Sequence, residues 1–263
     1  MSVPSHDDRV RAQFRRQAAT FTETGFAARG LTWIVETIAP NGTEVVLDVA
    51  CGAAHLGRAL ASRVSYVHGL DLVPEMLQQA KRLADAKHLH NLALLQGNAT
   101  DLPWIDAQFD LVVCRLTLHQ VGDPAAVVRE MVRVTKDGGR IAVIDMIADP
   151  TPRIAEETNR LERLRDPSHG RTLTAAEITH LIEDAGAVIE GESVQDQALD
   201  LEVWMARTET PAAKCDEIRQ RFDEEMQGGF PTGLRPARDA DGQVTFVHPW
   251  IAAVARVGHG PDK

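Results

Sequence analysis

The run Glu44-Val45-Val46-Leu47-Asp48-Val49-Ala50-Cys51-Gly52-Ala53-Ala54-His55-Leu56-Gly57 constrains this chain more than any other segment. Its apolar half, Val45 to Val49, predicts a strand buried in a parallel sheet. The small residues that follow lead directly into a helical pattern, His55 to Ser62. A strand that turns so tightly into a helix presents bare backbone N–H groups to whatever lies above it. A second apolar strand, Tyr66 to Leu70, ends in Asp71, 23 residues after Asp48. A carboxylate at that point can accept both hydroxyls of a ribose. Together these features predict a nucleoside site at the tips of parallel strands.

The glycines narrow the choice of nucleoside. A dinucleotide site uses G-x-G-x-x-G so that a pyrophosphate can rest against the turn. Here Ala50 holds the first position, and only Gly52 and Gly57 are glycines. Asp48, inside the strand end, would repel a pyrophosphate but would suit an ammonium group. The expected ligand carries an adenosine at one end and an amino acid at the other, which describes S-adenosylmethionine. A βα turn with no ligand is the plain alternative.

Composition excludes several classes. The chain has 263 residues, 44% hydrophobic and 25% charged, as in a globular protein of one large domain. A formal net charge of −10, with no Lys/Arg run, argues against a nucleic-acid partner. Cys51, Cys114 and Cys215 are widely spaced, with no C-x-x-C and no histidine cluster, so reduced thiols and no metal are expected. Met1 to Asp8 is polar and acidic, which predicts no signal peptide. No apolar run reaches the length of a membrane span, and a cytoplasmic protein is expected.

Along the chain, Val10, Phe14, Ala18 and Phe21 predict an amphipathic helix over 8–20, and Leu31, Ile34, Val35 and Ile38 a second that stops at Pro40. Strands follow at 44–50, 66–70, 92–96, 109–114 and 140–147, alternating with helices at 55–62, 74–88 and 124–135. This alternation predicts an α/β fold with a mostly parallel sheet covered on both faces. Beyond Asp149-Pro150-Thr151-Pro152 come helices at 153–165 and from Thr174 to Gly186, a strand at 187–199, helix over 200–228, and a strand at 243–257 after an Asp241-Gly242 turn.

Four motifs in order carry a resemblance to class I S-adenosylmethionine-dependent methyltransferases. They are the Asp48–Gly57 loop, Asp71, Gly97-Asn98-Ala99-Thr100-Asp101, and Phe109 to Gln120; Val134 to Arg140 resembles the family's turn into its fifth strand. The small-molecule branch around ubiquinone and menaquinone biosynthesis is the most similar. The resemblance implies a Rossmann-like, seven-stranded sheet whose last strand inserts beside the fifth. Residues 1–42 would be an N-terminal helical segment over the cofactor. Residues 43–149 and 187–263 would form the core, with 150–186 and about 200–242 as substrate lid segments. Ala50 and Ala54 depart from the family's glycine pattern, and Asn98 replaces its usual acid.

The resemblance also implies roles. Asp71 would hold the ribose, with a helix N-cap as its alternative. Asn98 and Ala99 would bracket the adenine, and Leu72 and Met76 would pack near the adenosine. Asp48, Ala50 and Gly52 would face the methionine part. Arg115 would meet a cofactor or substrate carboxylate, or else be a solvated surface arginine. Phe21 would close over the cofactor and Phe14 over the substrate, a core-facing stripe being the alternative for both. His119, after the fourth strand, is a candidate base or substrate-orienting group, with a structural part as the alternative. His169 is the second candidate base and, with Arg171, a candidate substrate contact; a solvated loop histidine is its alternative. The expected reaction is methyl transfer from S-adenosylmethionine, leaving S-adenosylhomocysteine, to a small, largely apolar acceptor (phenolic, quinoid or heteroaromatic). A cofactor-binding protein that transfers no methyl, such as a cyclase or regulatory module, and an NAD-dependent oxidoreductase are the rivals. A homodimer is one open assembly.

Overall fold

The computed structural model describes residues 4–23 and 26–258; Met1 to Val3, Thr24, Gly25 and residues 259–263 of the expected N-terminal and core segments lie outside them. Two helices precede the sheet, α1 (His6–Gln17) and α2 (Leu31–Ile38). Ser5 caps α1 in a reciprocal capping box with Asp8, and the chain then makes a single 3-10 turn over Ala18–Thr20. The expected helix over 8–20 is therefore split near its end. Alternating units follow: β1 (Val45–Val49), α3 (His55–Ala61), β2 (Tyr66–Asp71), α4 (Pro74–Ala86), β3 (Leu92–Gln96), β4 (Phe109–Arg115), α5 (Pro124–Val134) and β5 (Thr135–Met146). Pro74 and Pro124 occupy first-turn positions, where a missing N–H costs nothing.

After β5 come α6 (Pro152–Arg165), α7 (Ala175–Asp184), β6 (Ala187–Asp200), α8 (Leu201–Ala206), α9 (Ala212–Met226), a two-residue β7 (Ala237–Arg238) and β8 (Val244–Val257). The helical stretch expected over 200–228, with a start at Pro211, is two helices, and the second has Pro211 at its N-cap. The strand order is β3-β2-β1-β4-β5-β8-β6, with β7 added onto β8. The first five strands are parallel, while β8 pairs antiparallel with both β5 and β6. The last strand does insert beside the fifth, and β7 adds a short eighth strand to the expected seven. The strand expected from residue 140 begins at Thr135, which pairs with Phe109 before a bulge.

Period-two alternation divides the sheet's side chains between two layers. Leu47, Val49, Val112, Cys114, Ile141 and Val143 pack with α5 and α7. Val46, Val67, Leu111, Val113, Ala142 and Ile144 pack with α2 and α3. Although α7 lies in the 150–186 segment expected as a lid, its Ile178 and Ile182 belong to the main core. A third apolar cluster joins α6, α8, α9 and β8 through Leu161, Trp204, Phe222 and Phe246. Among the described residues no helix is long and apolar enough to cross a membrane.

The turn after β1 explains how alanines replace glycines. Ala50, Gly52 and Ala54 all adopt left-handed backbone, with φ of 53°, 54° and 53°. A Cβ in that region costs about 1–2 kcal/mol, part of which Gly would return as unfolded-state entropy. Ala54→Gly is therefore expected to raise stability by about 0.5–1 kcal/mol, measurable as a higher midpoint in urea with an unchanged slope.

Candidate functional site

The carboxyl ends of the five parallel strands open on one cavity of about 420 Å³. It lies where the chain reverses direction across the sheet, between β1 and β4, the place where doubly wound folds bind ligands. From β1 and its turn come Asp48, Ala50, Cys51 and Gly52; from β2 come Asp71 and Leu72; from α4 comes Met76. The loop after β3 supplies Asn98 and Ala99, β4 supplies Arg115 and the segment after it His119, and the N-terminal segment supplies Phe14 and Phe21.

Two carboxyl groups stand at the strand tips. Asp48 is 1% exposed, and its Oδ2 accepts the Gly57 N–H at 2.8 Å. A Cβ at Gly57 would come within 2.9 Å of that oxygen, so only glycine lets α3 approach so closely. Burial pushes the Asp48 carboxyl up to about 7, against the Gly57 hydrogen bond and the charge of Arg115. Asp71 accepts the Gly52 N–H at 2.7 Å and the Val73 N–H at 2.8 Å, and burial raises it to about 6. It is not the cap of α4, whose N-cap position is Val73.

Arg115 is not a solvated arginine. Its guanidinium donates to the carbonyls of Ala27 and Arg29 and lies 5.9 Å from the Trp250 ring centroid. Burial lowers its pKa to about 10, with the charge of Asp48 opposing. The Asn98 side-chain oxygen accepts from Thr100 N–H at 3.1 Å, and its amide reaches Asp7 of α1 at 3.4 Å. Phe14 and Phe21 lie 6.3 Å apart and pack with Ala18, Val73, Leu72 and Met76, so they serve a core stripe while also facing the cavity. The Cys51 thiol, pushed far up by burial and nearby carboxylates, is no thiolate nucleophile.

His119 has a partner that its own segment did not reveal. Its Nδ1 lies 2.5 Å from Oδ1 of Asp145, in β5. Asp145 is 1% exposed and also accepts the N–H groups of Thr117, Leu118, His119 and Met146. Burial disfavours the imidazolium, but the charge and hydrogen bond of Asp145 prevail and raise the His119 pKa. Bonded in this way, Nδ1 carries its proton and leaves Nε2 as the basic nitrogen. The signal for Asp145 was present, because it is the single charge in the apolar run Ile141 to Met146.

The structure does not bring His169 and Arg171 to the cavity lining. His169 is 5% exposed, stacked 5.6 Å from the His119 ring, with Nε2 3.1 Å from Oδ1 of Asn159. Burial lowers its pKa to about 3, so it is neutral and is not a solvated loop residue. The loop is tied down by Gly170 and Arg171, whose N–H groups donate to the His119 carbonyl. The Arg171 guanidinium turns outward to Glu177 at 2.8 Å. In their place Arg165, Trp204, Arg207 and His248 line the far wall. They come from α6, α8 with its following turn, and β8, so no spacing in the sequence could have grouped them.

A family profile described as a methyltransferase domain matches residues 40–195. The chain belongs to this methyltransferase family, in the class I, S-adenosylmethionine-dependent branch whose fold it has. The uncharacterized methyltransferase YcgJ of Bacillus subtilis is 30% identical over 207 residues, 78% of this chain and 82% of that protein. Its crystal structure superposes with a TM-score of 0.79 at 28% identity, covering 88% of this chain and 98% of that one. A demethylmenaquinone methyltransferase of Listeria monocytogenes is 37% identical over 134 residues, 50% of this chain and 56% of that protein. The [4+2]-cyclase SpnF shares the fold alone, with a TM-score of 0.65 at 15% identity over 99% of this chain and 98% of that one. The family match decides against a nicotinamide enzyme.

The raised carboxyl of Asp48 predicts a pH signature. The folded state keeps this proton up to about pH 7, whereas an unfolded aspartate loses it near 3.8. Stability from this group is complete below pH 4 and is lost as the pH rises through 7, falling by about 1.4 kcal/mol for each pH unit between those two values. Asp48→Asn keeps an acceptor for Gly57 but removes the titration. Its ligand-free Tm should vary less than that of the unsubstituted protein between pH 4 and 8, and should exceed it at pH 8.

Proposed function

We propose that this protein transfers the methyl group of S-adenosylmethionine to a small acceptor bearing an acidic O–H or N–H on a largely apolar, phenolic, quinoid or heteroaromatic body. The observation that carries this reading is the junction, in one cavity, of two carboxyl-tipped strands with the His119–Asp145 pair. Three features of the walls fit the cofactor. Each oxygen of Asp71 uses one lone pair on a backbone N–H, which leaves a second for a hydroxyl of a ribose diol. A Cβ at Gly52 would stand 3.0 Å from the Met76 methyl, so glycine keeps the turn uncrowded where Met76 meets the cavity. The amide nitrogen of Gln17 is buried on the cavity wall with no protein partner.

In this reading Asp71 holds the ribose, Asn98, Ala99, Leu72 and Met76 surround the base, and Asp48, Ala50, Gly52 and Arg115 serve the amino-acid end. Phe21 covers the cofactor and Phe14 extends that cover towards the acceptor. When bound, S-adenosylmethionine supplies an electrophilic methyl on a sulfonium and departs as S-adenosylhomocysteine. The chain's own task is then to align the acceptor and exclude water, which can supply about 7–11 kcal/mol of the barrier. His119 Nε2 takes the acceptor's proton, and Asp145 steadies the imidazolium that results. Segments α6, α8 and α9 form the acceptor lid, while α7 remains with the core. The net charge of −10 supports a small molecule over a nucleic acid, and three free cysteines support a cytoplasmic setting.

Calorimetry with S-adenosylhomocysteine tests the cofactor half. Asp71→Ala should weaken binding about 10- to 100-fold, the weight of charged hydrogen bonds to a diol; unchanged affinity would remove the basis of the reading. Methyl transfer to a panel of phenols, quinols and heteroaromatics tests the acceptor half. His119→Gln should lower kcat about 10²- to 10⁴-fold while leaving cofactor affinity intact. Asp145→Asn should lower the His119 pKa, moving the rising limb of the pH–kcat profile to lower pH as the maximum falls. A profile that does not move would show that His119 is not the titrating base.

A further inference from the structure

Across the cavity from the strand tips, the wall formed by α6 and the end of α8 holds one guanidinium with no ion-pair partner among the described residues. Glu162, fully buried, receives the Arg165 guanidinium at 2.9 Å on Oε2, and His248 Nε2 stands 2.9 Å from Oε1. Burial works against this carboxylate, yet Arg165 and His248 hold it well below the usual range. Glu162 and Arg165 thus form a closed pair. Asp166, the other acid on this wall, gives Oδ1 to the N–H and hydroxyl of Ser168 at 2.8 and 2.6 Å. Asp145 is already engaged by His119 and four backbone N–H groups.

Arg207 has no such counterpart. It lies at the C-cap of α8 and lines the cavity; among the described residues no carboxylate lies within 4.0 Å of its guanidinium. Its Nε is buried without a hydrogen-bond partner. The guanidinium carbon lies 3.9 Å from the centroid of the Phe26 ring, which supports the cation on one face but satisfies none of its in-plane donors. Burial, together with the nearby Arg165, depresses its pKa to about 9. A half-buried cation whose Nε is buried and unpartnered is costly unless an anion completes it.

We propose that Arg207 is the carboxylate-binding residue of the acceptor site, and that the acceptor is a small aromatic acid. The inference rests on the methyl-transfer reading above. Of the two arginines on this wall, Arg165 is paired with Glu162 and Arg207 with no carboxylate of the described residues, so a negative charge on the ligand is the counterpart that Arg207 lacks. A planar fork of N–H donors matches a planar carboxylate in two parallel bonds. Trp204, Phe26 and Met146, also on the lining, offer an aromatic body its packing. His119 opens on the same cavity, so an acid anchored at Arg207 can present a hydroxyl or ring nitrogen to Nε2.

The test uses the full chain saturated with S-adenosylhomocysteine and matched pairs of aromatic acid and primary amide. Suitable pairs are benzoate and benzamide, 4-hydroxybenzoate and its amide, 1-naphthoate and its amide, and indole-3-acetate and its amide. At least one acid should bind about tenfold or more tightly than its amide. That preference should vanish in Arg207→Gln and survive, weakened, in Arg207→Lys, which keeps the charge but loses the fork. Affinity for S-adenosylhomocysteine should be the same in all three proteins, which also shows that the variants are folded. Equal binding of acid and amide, or binding of no acid, overturns the inference and leaves methyl transfer standing. Loss of cofactor affinity in Arg207→Gln reassigns the residue to the cofactor and also overturns it. Failure of the unsubstituted protein to bind S-adenosylhomocysteine removes the methyl-transfer reading itself.

Discussion

The carboxylate of Asp71 fastens the loop after β1 to the loop after β2, and the shape of the cavity follows from that fastening. One oxygen holds the Gly52 N–H and the other the Val73 N–H, so two neighbouring strand exits become one rigid rim. Ala50 and Ala54 tolerate left-handed backbone beside this rim because the Gly52 bond and the contact of Gly57 with Asp48 leave the chain no other course. The strain is concentrated where a ligand would meet bare backbone. Both carboxyl groups are buried at a cost, which a cationic, hydroxyl-bearing guest would repay.

Opposite the rim, polar groups from distant parts of the chain are paired in turn. Asp145 fixes His119, the His169 loop docks on the His119 carbonyl, Asn159 holds His169, and Glu162 gathers Arg165 and His248. His119 with Asp145 and His169 with Asn159 join different elements, so each fixes the other's geometry and this wall is ordered by its own contacts. This order explains why His169 lies under the site rather than in it. Its ring stacks on that of His119, and burial keeps it neutral.

The cofactor side was largely legible from the sequence because strand tips determine position. Asp48, Ala50, Gly52, Asp71, Asn98 and Arg115 all face the cavity, since residues at the carboxyl ends of adjacent parallel strands must converge. The opposite wall was not. Asp145 meets His119 only through the lateral register of β4 and β5, in which Arg115 lies against Ile144. Trp204, Arg207 and His248 come together through the packing of α8 against β8, for which no local period exists. The loop from Asp166 to Arg171 looks open in sequence, yet its backbone N–H groups find buried acceptors, and this draws His169 inward while the long Arg171 side chain escapes to solvent.

The place of β8 has a consequence for how the molecule assembles. The five parallel strands contain every strand tip that lines the cavity and can associate in the order in which they are synthesised. The opposite wall must wait, because His248 and the sheet surface that supports α8 arrive with the last strand, which threads between β5 and β6. A nascent chain can therefore bring its five parallel strand tips together before the wall that faces them. The late antiparallel strand is the step that supplies the wall facing the strand tips.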